Sequence, residues 1–425
     1  MNIASTRNLQ KIDWDFSGTR KGYVPPPHWW PGTFIPELPT ALIEALTKPG
    51  DTVLDPFCGI GTTGWASMNT GRRVRLVDAN PIAVLTATFT ACLLVENEQQ
   101  ASSAALLGTI EAVTAFGEGS AGELSLDRPI QIRRPGPQDE IAARALDQCV
   151  RGAPKWDLLK PWFDADTLGD IRVAFERIMS ENDPVVRLGG LVMCSATLRT
   201  LSSQNASWGH IADNVRPKRK LGKSATKAYK RWLTQTGRFV AANRSVITRT
   251  TRAEFDTFLW DWSSEQSLWD DGYDLLLTSP PYAGAIDYTL AQRLSLFLLG
   301  YDEERLAALV ADETGARRKR SKGDSTGVWA RNLCDAVRRQ VQGLRTTGHA
   351  AFVLPHKDAG REVGETSLRS MMADIGWVEF FRSDRSIHQS RTRQSWTSIQ
   401  RETIVAYRYR GVESRRSRPE ISLSA

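Results

Sequence analysis

The run Thr52 to Gly64, TVLDPFCGIGTTG, carries an apolar strand straight into a glycine turn and on into a helix, a succession that few folds accept. Gly59 and Gly61 reach backbone dihedrals that other residues avoid and let a ligand approach closely, while the following helix offers free N–H groups to an anionic group. The spacing is G-x-G without the third glycine of a dinucleotide fingerprint, so the turn alone carries little. A second strand, RRVRLVDA, strengthens it by ending at Asp78, about twenty residues on. There a carboxylate can accept hydrogen bonds from both hydroxyls of a ribose. With the helix NPIAVLTATFTACLL behind it, the order is strand, turn, helix, strand, helix, the opening of a doubly wound α/β sheet.

Residues 1–96 therefore read as an arm followed by the first half of an α/β domain. The arm is rich in proline and aromatics (YVPPPHWWPGTF), and a helix from about Pro36 to Lys48 follows, with Leu38, Leu42 and Leu46 on one face. Residues 97–244 read as an inserted helical subdomain, with helices at Leu168 to Met179, Val185 to Leu201 and Ala225 to Ala242 after a linker-like DRPIQIRRPGP. Strands resume with SVITRT and YDLLLTS, and the helix DYTLAQRLSLFLLG, a helix near Ala330 to Leu344 and the strands HAAFVLP, WVEFFRS and ETIVAYRYR complete a second half, 245–410. Residues 411–425 read as a frayed tail.

Five cysteines lie far apart, with no C-x-x-C and no histidine at ligand spacing, so neither a metal site nor a disulfide framework is expected. No stretch of 18 apolar residues occurs, and the N-terminus has no apolar core, which places the expected compartment in the cytoplasm, away from membranes. The net charge is +7, and residues 216–231 alone carry eight basic residues and no acidic one, so the rest of the chain is negative by one. A single local patch accounts for the basic balance, as a polyanion-binding surface requires, although a solvated loop has the same composition.

The run LLLTSPPYAG, 275–284, ends another strand. Its two prolines remove two N–H donors and stiffen the turn, so that the carbonyls of Ser279 and Pro280 become fixed acceptors, with the flat face of Tyr282 beside them. Acceptors converging next to an aromatic platform suit an amino group on a planar ring, although Pro-Pro-Tyr alone is equally a rigid turn.

Together, DPFCGIGTTG, VDANP and TSPPY, each at a strand end, resemble the amino-group methyltransferases of DNA that use S-adenosylmethionine. The resemblance covers roughly 24–96 and 245–410. It implies a Rossmann-like class I methyltransferase fold: a mostly parallel seven-stranded sheet with an antiparallel last strand, here interrupted by the helical subdomain. It further implies that Asp55, Phe57, Gly59, Gly61 and Thr62 form the cofactor turn, with Asp55 near the cofactor's amino group. Asp78 would hold the ribose, and the segment Pro31 to Phe34, with Thr33 and Phe34, would close over the methionine end. Ser279, Pro280, Pro281 and Tyr282 match the catalytic motif. Serine before Pro-Pro-Tyr is usual in enzymes acting on the 4-amino group of cytosine, whereas Asp or Asn is commoner in those acting on the 6-amino group of adenine.

The partner so implied is double-stranded DNA with the target base flipped out and stacked on Tyr282, with a separately acting restriction nuclease and no metal. Phosphate contacts are expected from Arg216, Lys218, Arg219, Lys220, Lys223 and Lys227, from Arg317, Arg318 and Lys319, and from Arg391 and Arg393 together with Arg382 and Arg385. Tyr229 and Trp232 are compatible with nucleic-acid contact, Trp232 equally with the core packing of a helix, and His388 and Gln389 are read as reaching base edges or as part of a solvated loop. Thr250 stands where relatives often show an Asp that binds the cofactor's adenine, and the position of 97–244 between the two motifs makes it the expected target-recognition region. Adenine methylation, modification of an RNA amino group, and a nucleic-acid-binding module with a vestigial cofactor site are the alternatives; the intact Gly59, Gly61, Asp78 and Ser279 to Tyr282 speak against the last.

Overall fold

Strand β1 (Thr52–Asp55) is four residues long and buried throughout, as a strand covered on both faces must be. The computed structural model, which describes residues 8–17, 24–33, 35–95, 103–115, 136–203, 222–243, 254–260, 272–282, 284, 287–316, 325–355, 362–387 and 401–411, sets it third across a seven-stranded sheet. Its companions are β2 (Arg73–Asp78), β3 (Phe255–Leu259), β4 (Tyr273–Thr278), β5 (Leu344–Pro355), β6 (Trp377–Ser386) and β7 (Arg401–Tyr409). The order across the sheet is β3-β2-β1-β4-β5-β7-β6. The pairs from β3 through β5 are parallel, and β7 alone runs against its neighbours β5 and β6. This is the mixed sheet implied by the motifs.

The third strand corrects one reading. It is Phe255–Leu259, beyond the SVITRT run, which lies outside the described residues. Phe255 and Thr257 face inward in alternation, and every residue of β3 from 255 to 259 pairs with β2. The strand ends at Leu259, with Trp260 directly after it, and Thr250 lies outside the described residues. The expected helix at DYTLAQRLSLFLLG divides into Tyr288–Ala291 and Arg293–Leu298, and two further helices, Glu303–Asp312 and Glu362–Asp374, join the fold.

Alternate strand residues serve opposite faces. Val53, Leu76, Leu275, Leu277 and Val353 pack with one cluster, whereas Leu54, Val77, Leu276 and Phe352 pack with Trp329, Leu333, Val337, Leu368 and Met372 on the other. The helix Pro81–Leu94 lies on the first face and is buried at all fourteen positions. The helices Pro137–Cys149 and Pro184–Leu201 cover its outer side, so the helices of the 97–244 stretch share one continuous apolar cluster with the sheet. Two adjacent glycines make that close stacking fit: a Cβ on Gly189 would sit 2.5 Å from Phe89 and Ile110, and one on Gly190 would sit 2.7 Å from Ile178. The apolar run Val185 to Leu201 is thus a core helix, and no helix among the described residues is long and apolar enough to cross a membrane.

The chain leaves β1 toward β2 and β3 on one side and returns through β4 and β5 on the other. The carboxyl ends of β1 and β4 consequently flank the switch in strand order, where open α/β sheets form their ligand crevice.

Candidate active site

The glycine turn hangs from backbone. Gly59 and Gly61 have φ of +51° and +85°, conformations that a Cβ disfavours. The Cys58 amide donates to the Val77 carbonyl at 2.9 Å, tying the turn to β2. Asp78 accepts from the Gly59 amide at 2.9 Å through one oxygen and from the Asn80 amide at 2.8 Å through the other. Asn80 in turn caps the helix Pro81–Leu94 by accepting from the Ile82 amide at 3.0 Å. The two glycines do different work. Gly59 faces the crevice, whereas a Cβ on Gly61 would lie 3.0 Å from that of Ala87, so Gly61 is needed for helix packing.

A cavity of about 610 Å³ opens above these strand ends. Its walls include Asp55, Phe57, Gly59, Thr62 and Asp78 from the first motif, Thr33 from the arm, and Ser279 and Pro281 from the second motif. The structure thus brings most of the expected residues to one place. Pro280 is buried behind the lining, Tyr282 is half-buried beside it, and Phe34 lies outside the described residues. The arm is clamped in position: Trp232 donates to the Pro27 carbonyl at 2.5 Å, Gln292 to that of Trp29 at 3.3 Å, and the Arg199 guanidinium covers the Trp29 ring. Trp30 comes to rest against Gly59 and stacks on Tyr288 at 5.9 Å.

The two motifs are joined directly, since Thr278 donates from its hydroxyl to Asp55 at 2.7 Å. Beyond Thr278 the second loop is held by distant side chains. Trp329 donates to the Pro281 carbonyl at 2.9 Å. Ser279 donates to the Tyr282 hydroxyl at 2.9 Å, which donates to Glu402 at 2.8 Å, and Arg385 donates to the other oxygen of Glu402 at 3.0 Å. No sequence signal marked Glu402, because it lies 120 residues from Tyr282 in an ordinary strand. Leu259 and Trp260 were also missed; they complete the cavity at the end of β3, and the Trp260 amide donates to the Asp78 carbonyl at 3.1 Å.

The cavity disfavours uncompensated negative charge. Burial pushes the carboxyls of Asp55 and Asp78 each up to about 6, against the opposing pull of the hydroxyl and amide donors around them. Glu313, which accepts from the Tyr288 amide at 2.6 Å, is raised to about 7 by the same cause. Buried carboxylates at strand ends accept hydroxyl and ammonium donors and welcome a nearby cation. S-adenosylmethionine carries a ribose, an ammonium and a sulfonium, so the residues present fit it. Among the described residues no cluster of potential metal ligands occurs.

The basic residues are distributed differently from the sequence expectation. Arg216, Lys218, Arg219, Lys220, Arg317, Arg318, Lys319, His388, Gln389, Arg391 and Arg393 lie outside the described residues, and Lys227 is exposed. Lys223 is committed internally, donating to the carbonyls of Thr200 at 2.7 Å and Ser202 at 2.5 Å. Arg382 pairs with Glu379 and Glu365, and Arg385 with Glu402, so none of these three is available to grip phosphate. Tyr229 and Trp232 are core residues.

Residues 6–103 match the family model described as DNA methylase, of the N6/N4 type. Among characterised proteins, a type II methyltransferase, M.XycI of Xanthomonas campestris pv. cyanopsidis, is 47% identical over 49 residues, or 12% of this chain and 16% of that protein. The chain thus spans about a sixth of that relative's length in the matched part. Among solved structures, the rRNA methyltransferase aviRa from Streptomyces viridochromogenes aligns over 89% of this chain and 87% of its own, with 11% identity and a TM-score of 0.32. The likeness to amino-methylating DNA methylases read from the motifs is therefore borne out for the N4/N6 type as a whole, the family model covering the first motif and its surroundings.

Proposed function

We propose that the protein transfers a methyl group from S-adenosylmethionine to the 4-amino group of cytosine within a specific sequence of double-stranded DNA. The observation that carries this reading is the hydrogen bond from Thr278 to Asp55, which locks the two motif loops around one cavity. Asp78 and Asp55 offer acceptors to the ribose hydroxyls and the ammonium of the cofactor, while Phe57, Gly59, Thr62 and Thr33 line the same wall. When bound, the cofactor supplies an electrophilic methyl group. Ser279, at the opposite wall, uses its proton on Tyr282 and so keeps its lone pairs for an incoming N–H. An exocyclic amine is a weak nucleophile because its lone pair is delocalised into the ring. Acceptors that draw on its hydrogens favour a tetrahedral nitrogen, so positioning and fixed dipoles carry the acceleration.

A base inside a duplex cannot reach such a cavity, so the reading includes base flipping. Phosphate contacts fall to the basic stretch 216–231 apart from Lys223, with Lys227 exposed, and to Arg317 to Lys319 and Arg391 and Arg393; target recognition falls to 97–244. The test is incubation with labelled S-adenosylmethionine and unmodified DNA or RNA, followed by nucleoside mass spectrometry. The expected product is 4-methylcytosine in DNA. Recovery of 6-methyladenine would overturn the choice of base, and label in RNA alone the choice of nucleic acid.

A further inference from the structure

The loop after β4 ends in a directed chain of hydrogen bonds, of which the reaction so far described uses only the first link. Its far end is Glu402, the second residue of β7. Because β7 runs against its neighbours, its first residues lie at the carboxyl ends of the parallel strands, and Glu402 stands opposite Pro355 of β5 and Arg385 of β6. The topology alone therefore delivers a carboxylate from late in the chain to the edge that carries both motif loops. Glu402 is only 7% exposed and its partner Arg385 only 5%. A buried ion pair is weak evidence for stability, since well-packed apolar residues would serve as well.

We propose that Glu402 is the terminal proton acceptor of a relay, Ser279 to Tyr282 to Glu402, that drains the proton released by the methylated amino group; this rests on the function proposed above. The direction of donation supports it. Ser279 donates to Tyr282, and Tyr282 donates to Glu402, so every proton in the chain already points away from the cavity. After methyl transfer the exocyclic nitrogen carries one proton too many. Its N–H bond breaks as an O–H bond forms at Ser279 Oγ; the Ser279 proton passes to Tyr282 Oη, and the Tyr282 proton passes to Glu402 Oε1. The substrate cation and the carboxylate become a neutral amine and a neutral acid, with Ser279 and Tyr282 unchanged in composition. Arg385 stays on the other oxygen of Glu402. The Val353 carbonyl, 3.4 Å from the Tyr282 hydroxyl, offers that hydroxyl an alternative acceptor while Glu402 is protonated.

The groups facing Glu402 are Tyr282 from the loop and Arg385 from β6; nearby Arg382 is turned to Glu379 and Glu365, and Asp384 accepts from Thr403. Burial raises the Glu402 carboxyl above the ordinary range, and Arg385 and the Tyr282 hydroxyl oppose that rise. The relay thus has an acid limit, reached when Glu402 is protonated before turnover. Tyr282→Phe keeps the ring and cuts the chain in the middle; Glu402→Gln removes its end.

The experiment compares both variants and their double with the unaltered protein, measuring kcat against pH at saturating S-adenosylmethionine and unmodified DNA, and cofactor affinity by calorimetry. Expected are a fall in kcat of about 100-fold in each variant, a value typical of lost proton transfer, with no further fall in the double and cofactor affinity within about twofold. The acid limb due to Glu402 disappears in both. An infrared pH titration of the ligand-free protein gives a second readout: a carboxyl signal absent from Glu402→Gln, with its midpoint moved upward in Tyr282→Phe because a donor to the carboxylate is gone. Should glutamine at 402 fail to fold beside Arg385, Tyr282→Phe carries the test. Unchanged kcat and an unchanged acid limb in Tyr282→Phe, or an unmoved infrared midpoint, overturn the relay alone. Failure of the unaltered protein to methylate any nucleic acid overturns the enzymatic reading, and the relay with it.

Discussion

The turn after β1 is held through its own amides by the Asp78 carboxylate and the Val77 carbonyl, about twenty residues on, whereas the loop after β4 is held by side chains 48 and 120 residues away. Gly59 is fixed by Asp78, and the turn at Cys58 by Val77. Pro281 is fixed by Trp329, and Tyr282 by Glu402. One wall of the cavity is therefore a local device that a short segment specifies, and the other is an assembled device that exists only once the sheet has closed. The contrast matches the two tasks proposed for them: a preformed cradle for a common ligand, and an oriented set of acceptors for a reacting group.

If the two walls are separable, substitutions in one should spare the task of the other. The largest effect is expected for Tyr282→Ala and Pro281→Ala, which should reduce turnover by 100-fold or more, about the loss typical of one preorganised donor or acceptor, while calorimetry finds the affinity for S-adenosylmethionine nearly unchanged. Loss of cofactor binding in both would merge the walls into one. Asp78→Asn should weaken cofactor binding by about tenfold to a hundredfold, the range for a charged hydrogen bond, with turnover at saturating cofactor much less affected.

Gly364→Ala probes the assembled wall from outside. A Cβ there would lie 1.9 Å from the Trp329 ring, so the indole that holds the Pro281 carbonyl must shift. Overpacking of this kind costs about 1–3 kcal/mol of stability, and the thermal midpoint should fall. Turnover should drop by about tenfold, the kinetic equivalent of about 1.4 kcal/mol, with cofactor affinity unchanged.

The smallest and most diagnostic effect is on pH. Asp55 and Asp78 each titrate near 6 when folded, above the value of about 4 for an unfolded chain. The folded protein then binds protons more tightly than the unfolded one, so the stability these groups contribute is full below about pH 4 and is lost as pH rises through about 6. Calorimetric scans of the ligand-free protein should show this slope reduced in Asp78→Asn. Cofactor affinity should run the opposite way, weakening as pH falls below about 6, because protonated carboxyls no longer attract a cation.

The same contrast explains what the amino-acid sequence made legible. The first wall could be read almost completely, since Asp55, Gly59 and Asp78 lie in one short succession whose spacing is itself the geometry. Gly61 was assigned to the ligand but packs against Ala87, a distinction that depends on where the next helix falls. In the second wall, Ser279 and Pro281 were readable from their own motif, but Glu402 and Trp329 were not, because no local pattern records which distant strand will pair. The strand at FDTFL was not singled out, because its short alternation resembles that of neighbouring segments and only its pairing with β2 identifies it. Lys223, Arg382 and Arg385 carry charge that looks available in a list of residues, yet each is satisfied by a carbonyl or carboxylate brought to it by folding.

The central claim is that the two walls serve one cavity and divide binding from transfer between them. The most direct test is a paired measurement on Ser279→Ala, titrating S-adenosylmethionine by calorimetry and following label into DNA with the same preparation. The account predicts cofactor affinity equal to that of the unaltered protein with methyl transfer reduced by at least 100-fold, the scale on which loss of a preorganised contact acts. Cofactor binding lost along with transfer, or transfer retained at the original rate, would contradict it.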